Sequence, residues 1–201
     1  NLAVLPTLGT RWLIPRLGSF TAQHPDVTVN CAARTEPFDF AGTPFDAAIH
    51  FGAPTWPGAV CEFLMREEVV PVASPAFRQG HGIRSPQDLT RVVLLQQSTR
   101  PTQWAEWFEH VGVPTTVALR GPRLEHFAMI AQAAVCGQGV ALLPRFLIAQ
   151  ELGAGSLVQL FDDAVVSADA YYLVYPEARA QTPLVQAFRD WLVAQCASSA
   201  G

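Results

Sequence analysis

Residues 2–25 read LAVLPTLGTRWLIPRLGSFTAQHP, and this stretch decides the architecture. Residues 2–5 form a short apolar run of strand character, and Pro6-Thr7-Leu8-Gly9 reads as a turn. Leu13, Ile14, Leu17 and Phe20 then recur at helical spacing until His24-Pro25 stops them. The unit is strand, turn, helix.

Working outward, residues 27–33 alternate like a strand, 45–51 hold a second apolar run, and 63–74 hold a third around Val69-Val70-Pro71-Val72-Ala73. That order predicts a parallel sheet flanked by helices. Ser74-Pro75 opens a second set, with a helical turn at 75–79, the loop Gly80-His81-Gly82 and a helix start at Ser85-Pro86-Gln87-Asp88. A strand at 92–95 precedes a helix whose Trp104, Trp107 and Phe108 sit at i, i+3 and i+4, positions that read as core.

Beyond them come a helix at 127–136, a strand at 139–143, a helix at 144–152, and strands at 157–161 and 170–175. The chain closes with an amphipathic helix, 183–196, carrying Leu184, Phe188, Trp191 and Leu192 on one face. Two successive sets predict an α/β fold of two lobes, residues 1–72 with 173–201 and residues 73–172, joined by two crossover strands. In such sheets ligands sit beyond the carboxyl ends of strands, where helix N-termini offer free N–H groups, so the cleft between lobes is the expected site.

The chain has 201 residues, half of them hydrophobic and 15% charged, which is globular composition. Its thirteen basic residues are all arginine and face seventeen acidic ones, for a net charge of -4. Such a chain has no basic face for gripping nucleic acid by itself. The mean hydropathy of +0.20 is high and calls either for well-buried lobes or for apolar surface covered by a partner subunit, the second being the favoured reading. No run approaches the roughly 20 apolar residues of a membrane span. Asn1 opens directly into a strand without a leader or an initiator Met, so a preceding segment is expected. Cys31, Cys61, Cys136 and Cys196 lie far apart, without a C-x-x-C pair, and read as reduced core residues of a cytosolic protein.

Catalytic and cofactor signatures are missing: G-x-S-x-G, H-E-x-x-H, a P-loop lysine, and G-x-G-x-x-G after a strand. Gly137-Gln138-Gly139 lies between a helix and a strand and reads as a helix C-cap. The histidines at 24, 50, 81, 110 and 126 lack metal-ligand spacing, so neither metal nor cofactor is expected. At Thr7, Leu8, Gly9 and Thr10 two readings stay open, a ligand-facing turn or a plain N-cap. In Gln97-Ser98-Thr99-Arg100 the guanidinium beside a helix start suits a carboxylate or phosphate, with an ordinary surface arginine as the alternative.

Several segments carry a family resemblance. Trp12-Leu13-Ile14-Pro15-Arg16-Leu17, then Phe20 and His24-Pro25, resembles the opening of the effector domain of LysR-type transcriptional regulators. Asp46-Ala47-Ala48-Ile49-His50-Phe51-Gly52 followed by Trp56-Pro57-Gly58 is similar to the branch that includes the glycine-cleavage and β-lactamase regulators. Residues 137–145, Gly155-Ser156-Leu157-Val158, and the run from Tyr171 to Leu192 agree with that branch, so the likeness spans the chain in order.

The resemblance implies two Rossmann-like lobes of type 2 periplasmic-binding-protein architecture, in a cytoplasmic regulator that forms a homodimer or homotetramer. Promoter DNA would be bound by an N-terminal winged helix-turn-helix outside this chain, with RNA polymerase as a further partner of the assembled regulator. It also implies an effector site lined by Thr7, Leu8, Gly9, Thr10, Asp39, Phe51 and Gly52 in the first lobe. Ser98, Thr99, Arg100, Glu125, His126 and Phe127 would line it in the second, with Tyr171 near the return crossing. Two positions depart from the branch: His50 replaces a usual arginine, and Glu125-His126 replaces common hydroxyl residues. A carboxylate there favours an amine, and with Asp39 and Arg100 it points to a zwitterion such as an amino acid or a peptide fragment. The rival readings are an extracytoplasmic solute-binding protein of a transporter and an enzyme built on Asp39 with His50 or Glu125 with His126.

Overall fold

The structure is a computed structural model that describes residues 1–198 apart from 115, 117 and 119. Among these residues nine strands are formed: β1 (Leu2–Val4), β2 (Cys31–Ala33), β3 (Ala47–Gly52), β4 (Ala59–Ala73), β5 (Leu94–Gln97), β6 (Arg123–Leu124), β7 (Val140–Pro144), β8 (Val158–Gln159) and β9 (Val165–Pro176). The helices are α1 (Pro6–Leu8), α2 (Ile14–Gln23), α3 (Pro75–Gly80), α4 (Gln103–His110), α5 (Phe127–Val135), α6 (Ala149–Gly153) and α7 (Pro183–Ser198). A π-helical stretch, Gly9–Leu13, joins α1 to α2. The chain divides into two compact units, residues 1–67 with the chain from Ser167 onward, and Glu68–Val166. The sequence reading set the crossings at 73 and 172. Both divisions fall inside the long strands β4 and β9, where no turn residue marks them.

In the first unit β1 pairs in parallel with β2 (Leu2 opposite Cys31) and with β3 (Leu2 opposite Ala47). On its other side β3 pairs antiparallel with β9, Ile49 opposite Leu173. The sheet is therefore mixed, which corrects the parallel expectation: β9 returns from the second unit and its direction is set by that return. The predicted strand at 27–33 shrinks to the exposed three-residue edge β2. Gly9 lets α1 lie close to β1, because a Cβ there would stand 3.0 Å from Val4 Cγ1. Phe20 of α2 is fully buried, edge-on to Phe188 at 5.2 Å, and Trp191 Nε1 of α7 donates to Ser19 Oγ at 2.9 Å. On α7 Phe188, Trp191 and Leu192 are buried as their spacing predicts, together with Val185 and Cys196, whereas Leu184 is 46% exposed, so Val185 takes the inward place expected of Leu184.

The second unit centres on β7, antiparallel to β4 (Val70 opposite Leu143) and parallel to β5 (Leu95 opposite Ala141). The parallel order continues to β6, and β8 pairs antiparallel with β4. Trp104, Trp107 and Phe108 of α4 are each 1% exposed and form its core with Leu89, Leu94 and Leu142, as their spacing predicts. Their indole N–H groups are satisfied: Trp104 donates to the Leu95 carbonyl at 2.9 Å and Trp107 to the Asp163 carbonyl at 3.1 Å. Truncating one such ring to alanine typically costs about 3–5 kcal/mol. Gly137 has φ +71 beyond the end of α5, with its N–H on Ala134 O and the Gln138 N–H on Ala133 O. Those two bonds are the Schellman arrangement of a helix C-cap, as the G-x-G reading has it.

The cysteines do not follow one pattern. Cys196 is buried and Cys61 half-buried, but Cys31 and Cys136 are exposed, which corrects their reading as core residues. Cys31 sits on the edge strand β2, and Cys136 follows the last turn of α5, outside the apolar stripe of that helix.

Candidate functional site

The first unit supplies the segment after β1, which is helical where the sequence predicts a turn at Pro6-Thr7-Leu8-Gly9. Helix starts at Pro6, whose missing N–H is no loss in a first turn, and the N-cap is Leu5, which makes no side-chain cap bond. The N-cap reading of residues 7–10 therefore fails: they lie within the helix. Thr7 and Leu8 are buried, whereas Thr10 is exposed and its hydroxyl donates back to Pro6 O at 2.9 Å.

Asp39 is exposed in the loop between β2 and β3, and its Oδ1 accepts the Ala41 N–H at 2.8 Å. An aromatic cluster holds that loop. Phe38, Phe40 and Phe45 pack on one another and around Trp56, whose Nε1 donates to Phe38 O at 2.9 Å. Trp56 also meets the His50 ring edge-on at 5.3 Å. Burial pushes the His50 pKa down, and the nearby Asp169 carboxylate partly opposes this.

At the end of β3, Phe51 is half-buried and Gly52 takes φ +151, where a Cβ would stand 2.7 Å from His50 Nε2. The Phe51 and Tyr171 rings lie 4.9 Å apart. Tyr171 itself is 1% exposed, and its hydroxyl donates to Glu67 Oε2 at 2.6 Å. Glu67 is fully buried, and sequence reasoning missed it. The available signal was parity along β4, where Glu67 shares a face with Val69 rather than with the exposed Arg66 and Glu68.

The second unit brings its two predicted segments together. Ser98 donates through both N–H (3.0 Å) and hydroxyl (3.3 Å) to Leu124 O, and Gln97 Nε2 reaches Glu125 O at 3.5 Å. The Arg100 guanidinium lies over the Phe127 ring, 4.8 Å from its centre. This follows from β5 and β6 being parallel neighbours, Gln97 opposite Leu124, so that the chain leaves both strands at the same end. His126 is the N-cap of α5 in extended conformation, and its side chain caps no N–H. Ser98, Thr99 and Glu125 are exposed, Arg100 and His126 half-buried, and Phe127 buried. A guanidinium, a carboxylate and a helix N-terminus thus share one end of one sheet, a combination able to hold an anionic group and an amine side by side. Among the described residues no group of three or more His, Cys, Asp or Glu could hold a metal ion, and no helix is long and apolar enough to cross a membrane.

Residues 1–197 match the family model described as LysR substrate binding domain. The glycine cleavage system transcriptional activator of Escherichia coli (strain K12) is 35% identical over 199 residues, which cover 98% of this chain and 65% of that protein. The HTH-type transcriptional activator AmpR of Rhodobacter capsulatus is 32% identical over 197 residues, 98% of this chain and 66% of that protein. This chain thus spans about two thirds of the length of either relative. Among solved structures, the effector domain of AmpR of Pseudomonas aeruginosa superposes with a TM-score of 0.89 at 29% identity, over 99% of this chain and 95% of that one. The AmpR effector binding domain of Citrobacter freundii shares the fold at a TM-score of 0.87 and 24% identity, over 98% of this chain and 97% of that one.

Proposed function

We propose, since this chain belongs to the LysR substrate binding domain family, that it is the ligand-sensing part of a transcriptional regulator of that family and acts by binding, without turnover. The observation that carries this reading is the grouping of Arg100, Phe127, Ser98 and Glu125 at the shared end of β5 and β6. A carboxylate of the effector would meet the Arg100 guanidinium and the N-terminus of α5, and an amine would meet Glu125. Thr7, Leu8, Gly9, Thr10, Asp39, Phe51, Gly52 and Tyr171 of the first unit belong to the same proposal. Tyr171 would act through its packing on Phe51, its hydroxyl being held by Glu67. The ligand class that suits these groups is a zwitterion, an amino acid or short peptide.

Sensing requires unequal affinity for two conformations, since a ligand that binds both equally shifts nothing. The readout is proposed to pass through a dimer or tetramer to promoter DNA, held by a segment outside this chain, in the cytoplasm. Ile14 on α2, 54% exposed, and Met129 on α5, 49% exposed, suit helices that pair with a second copy. The relatives are transcriptional activators rather than transport proteins, which favours the regulator over the solute-binding reading.

The test is a thermal-shift screen of amino acids and short peptides against simple carboxylic and aromatic acids. A ligand at 100 times its Kd should stabilise the domain by about 2.7 kcal/mol. The shift should be lost in Arg100→Ala and weakened in Glu125→Gln. Stabilisation by plain acids alone would overturn the zwitterion assignment.

A further inference from the structure

The geometry points to a second ligand site, lying wholly in the second unit: a cavity lined by Arg78, Gln79 and Arg84 against Pro75, Ile83 and Val158 that takes a small organic dianion, a phosphate monoester or dicarboxylate. Its volume is about 370 Å³, within the ordinary range of small-molecule pockets. It shares no lining residue with the grouping around Arg100.

The local structure leaves both guanidiniums available. Arg78 is near the end of α3, where a basic side chain would ordinarily answer the exposed carbonyls of a helix C-terminus. Here the following turn has taken that role: His81 N–H, Ile83 N–H and Gly82 N–H donate to the carbonyls of Phe77, Arg78 and Gln79, each at 3.1 Å. The acid closest in sequence to Arg84 is Asp88, and it is already engaged. Its Oδ2 accepts the Arg84 N–H at 3.0 Å, the Ser85 N–H at 2.9 Å and the Ser85 hydroxyl at 3.0 Å, while its Oδ1 pairs with the Arg91 guanidinium. Among the described residues, neither the Arg78 nor the Arg84 guanidinium has a hydrogen-bond or ion-pair partner.

No acidic side chain lines the cavity. Two exposed arginines therefore line one open concavity without an acidic neighbour, and a dianion can fill two planar donor forks there. The apolar side matters too. Ile83 is 3% exposed and Val158 half-buried, so they offer a fixed wall for a ring or hydrocarbon body. This favours an organic ester or acid over a bare ion.

The experiment titrates the ¹⁵N-labelled 201-residue chain with phenyl phosphate, phthalate and inorganic phosphate, with sodium chloride at matched ionic strength as baseline. Saturable shifts are expected at the amides of Gln79, Ile83, Arg84 and Val158 with phenyl phosphate or phthalate, and the stronger of the two identifies the anion class. Affinity should fall by about tenfold or more in Arg78→Ala and Arg84→Ala, while Arg66→Ala stays at the parent value. Shifts that only follow the chloride baseline, or that survive in the double variant, would overturn the site. Loss in Arg100→Ala with no change in the Arg78 and Arg84 variants would move the anion to the proposed effector grouping, leaving that proposal intact and refuting this one.

Discussion

The Tyr171 hydroxyl donates to Glu67 Oε2 across 2.6 Å, and both residues are buried within the first unit. A carboxyl group withdrawn from water needs donors, because an unsatisfied buried acceptor carries the full penalty of its lost hydration. Tyr171→Phe keeps the ring on Phe51 and removes only the donor. The variant should lose about 1–3 kcal/mol in urea unfolding, and Glu67→Gln, which keeps an acceptor, should lose less. A Tyr171→Phe protein as stable as the parent would deny the bond any role.

Trp56 governs the loop that bears Asp39. Replacing it with phenylalanine removes the Nε1 bond to Phe38 O and thins the cluster of Phe38, Phe40 and Phe45. The expected loss is about 1 kcal/mol, together with faster hydrogen exchange at the Ala41 amide, which the Asp39 carboxylate holds. Exchange at Ala41 unchanged from the parent would separate Asp39 from Trp56.

Acid sensitivity should have a component from Asp88. The N–H groups of Arg84 and Ser85 and the Ser85 hydroxyl hold its carboxyl down at about 2, below the roughly 3.9 of an unfolded chain. Its stabilisation is therefore complete above about pH 4 and is lost as pH falls through the folded value. Asp88→Asn should be less stable than the parent near neutrality, with the gap closing between about pH 4 and about pH 2. Melting temperatures measured across that window decide it, and a gap independent of pH would show that the carboxylate's charge is not what stabilises the turn.

Thiol reactivity should follow burial. Desolvation pushes Cys196 up to about 12, and a thiol that stays protonated does not attack. In the folded chain an aromatic disulfide reagent should reach exposed Cys136 quickly and Cys196 only as fast as the protein unfolds. Cys196→Ser should delete the slow phase alone. A rapid reaction at Cys196 would contradict its packing on α7.

Much of this organisation is legible in the sequence, for local reasons. Trp104, Trp107 and Phe108 announce a buried helix face, and the change from strand to helix near residues 98–100 and 125–127 marks where donors converge. What escapes is decided by distant parts of the chain. The antiparallel pairing of β3 with β9 depends on a strand returning from the second unit. The meeting of Arg100 with Phe127 requires β5 and β6 to be neighbours. Glu67 was missed because a charge within a strand usually faces water, and the hydroxyl that it accepts from lies more than a hundred positions away.

The π-helical turn at Gly9–Leu13 gives the first unit a place where a change in chain length can be taken up. Each turn of that kind holds a surplus residue relative to an α-helix. Deleting one position there would restore an unbroken ladder and, because five residues of a π turn sweep about the same rotation as four of an α-helix, would leave Phe20 in phase with Phe188 and Trp191. The surplus residue behaves as an expansion joint: a one-residue deletion inside Gly9–Leu13 should be absorbed locally, whereas the same deletion within α2 before Phe20 would turn that ring by about 100° away from α7.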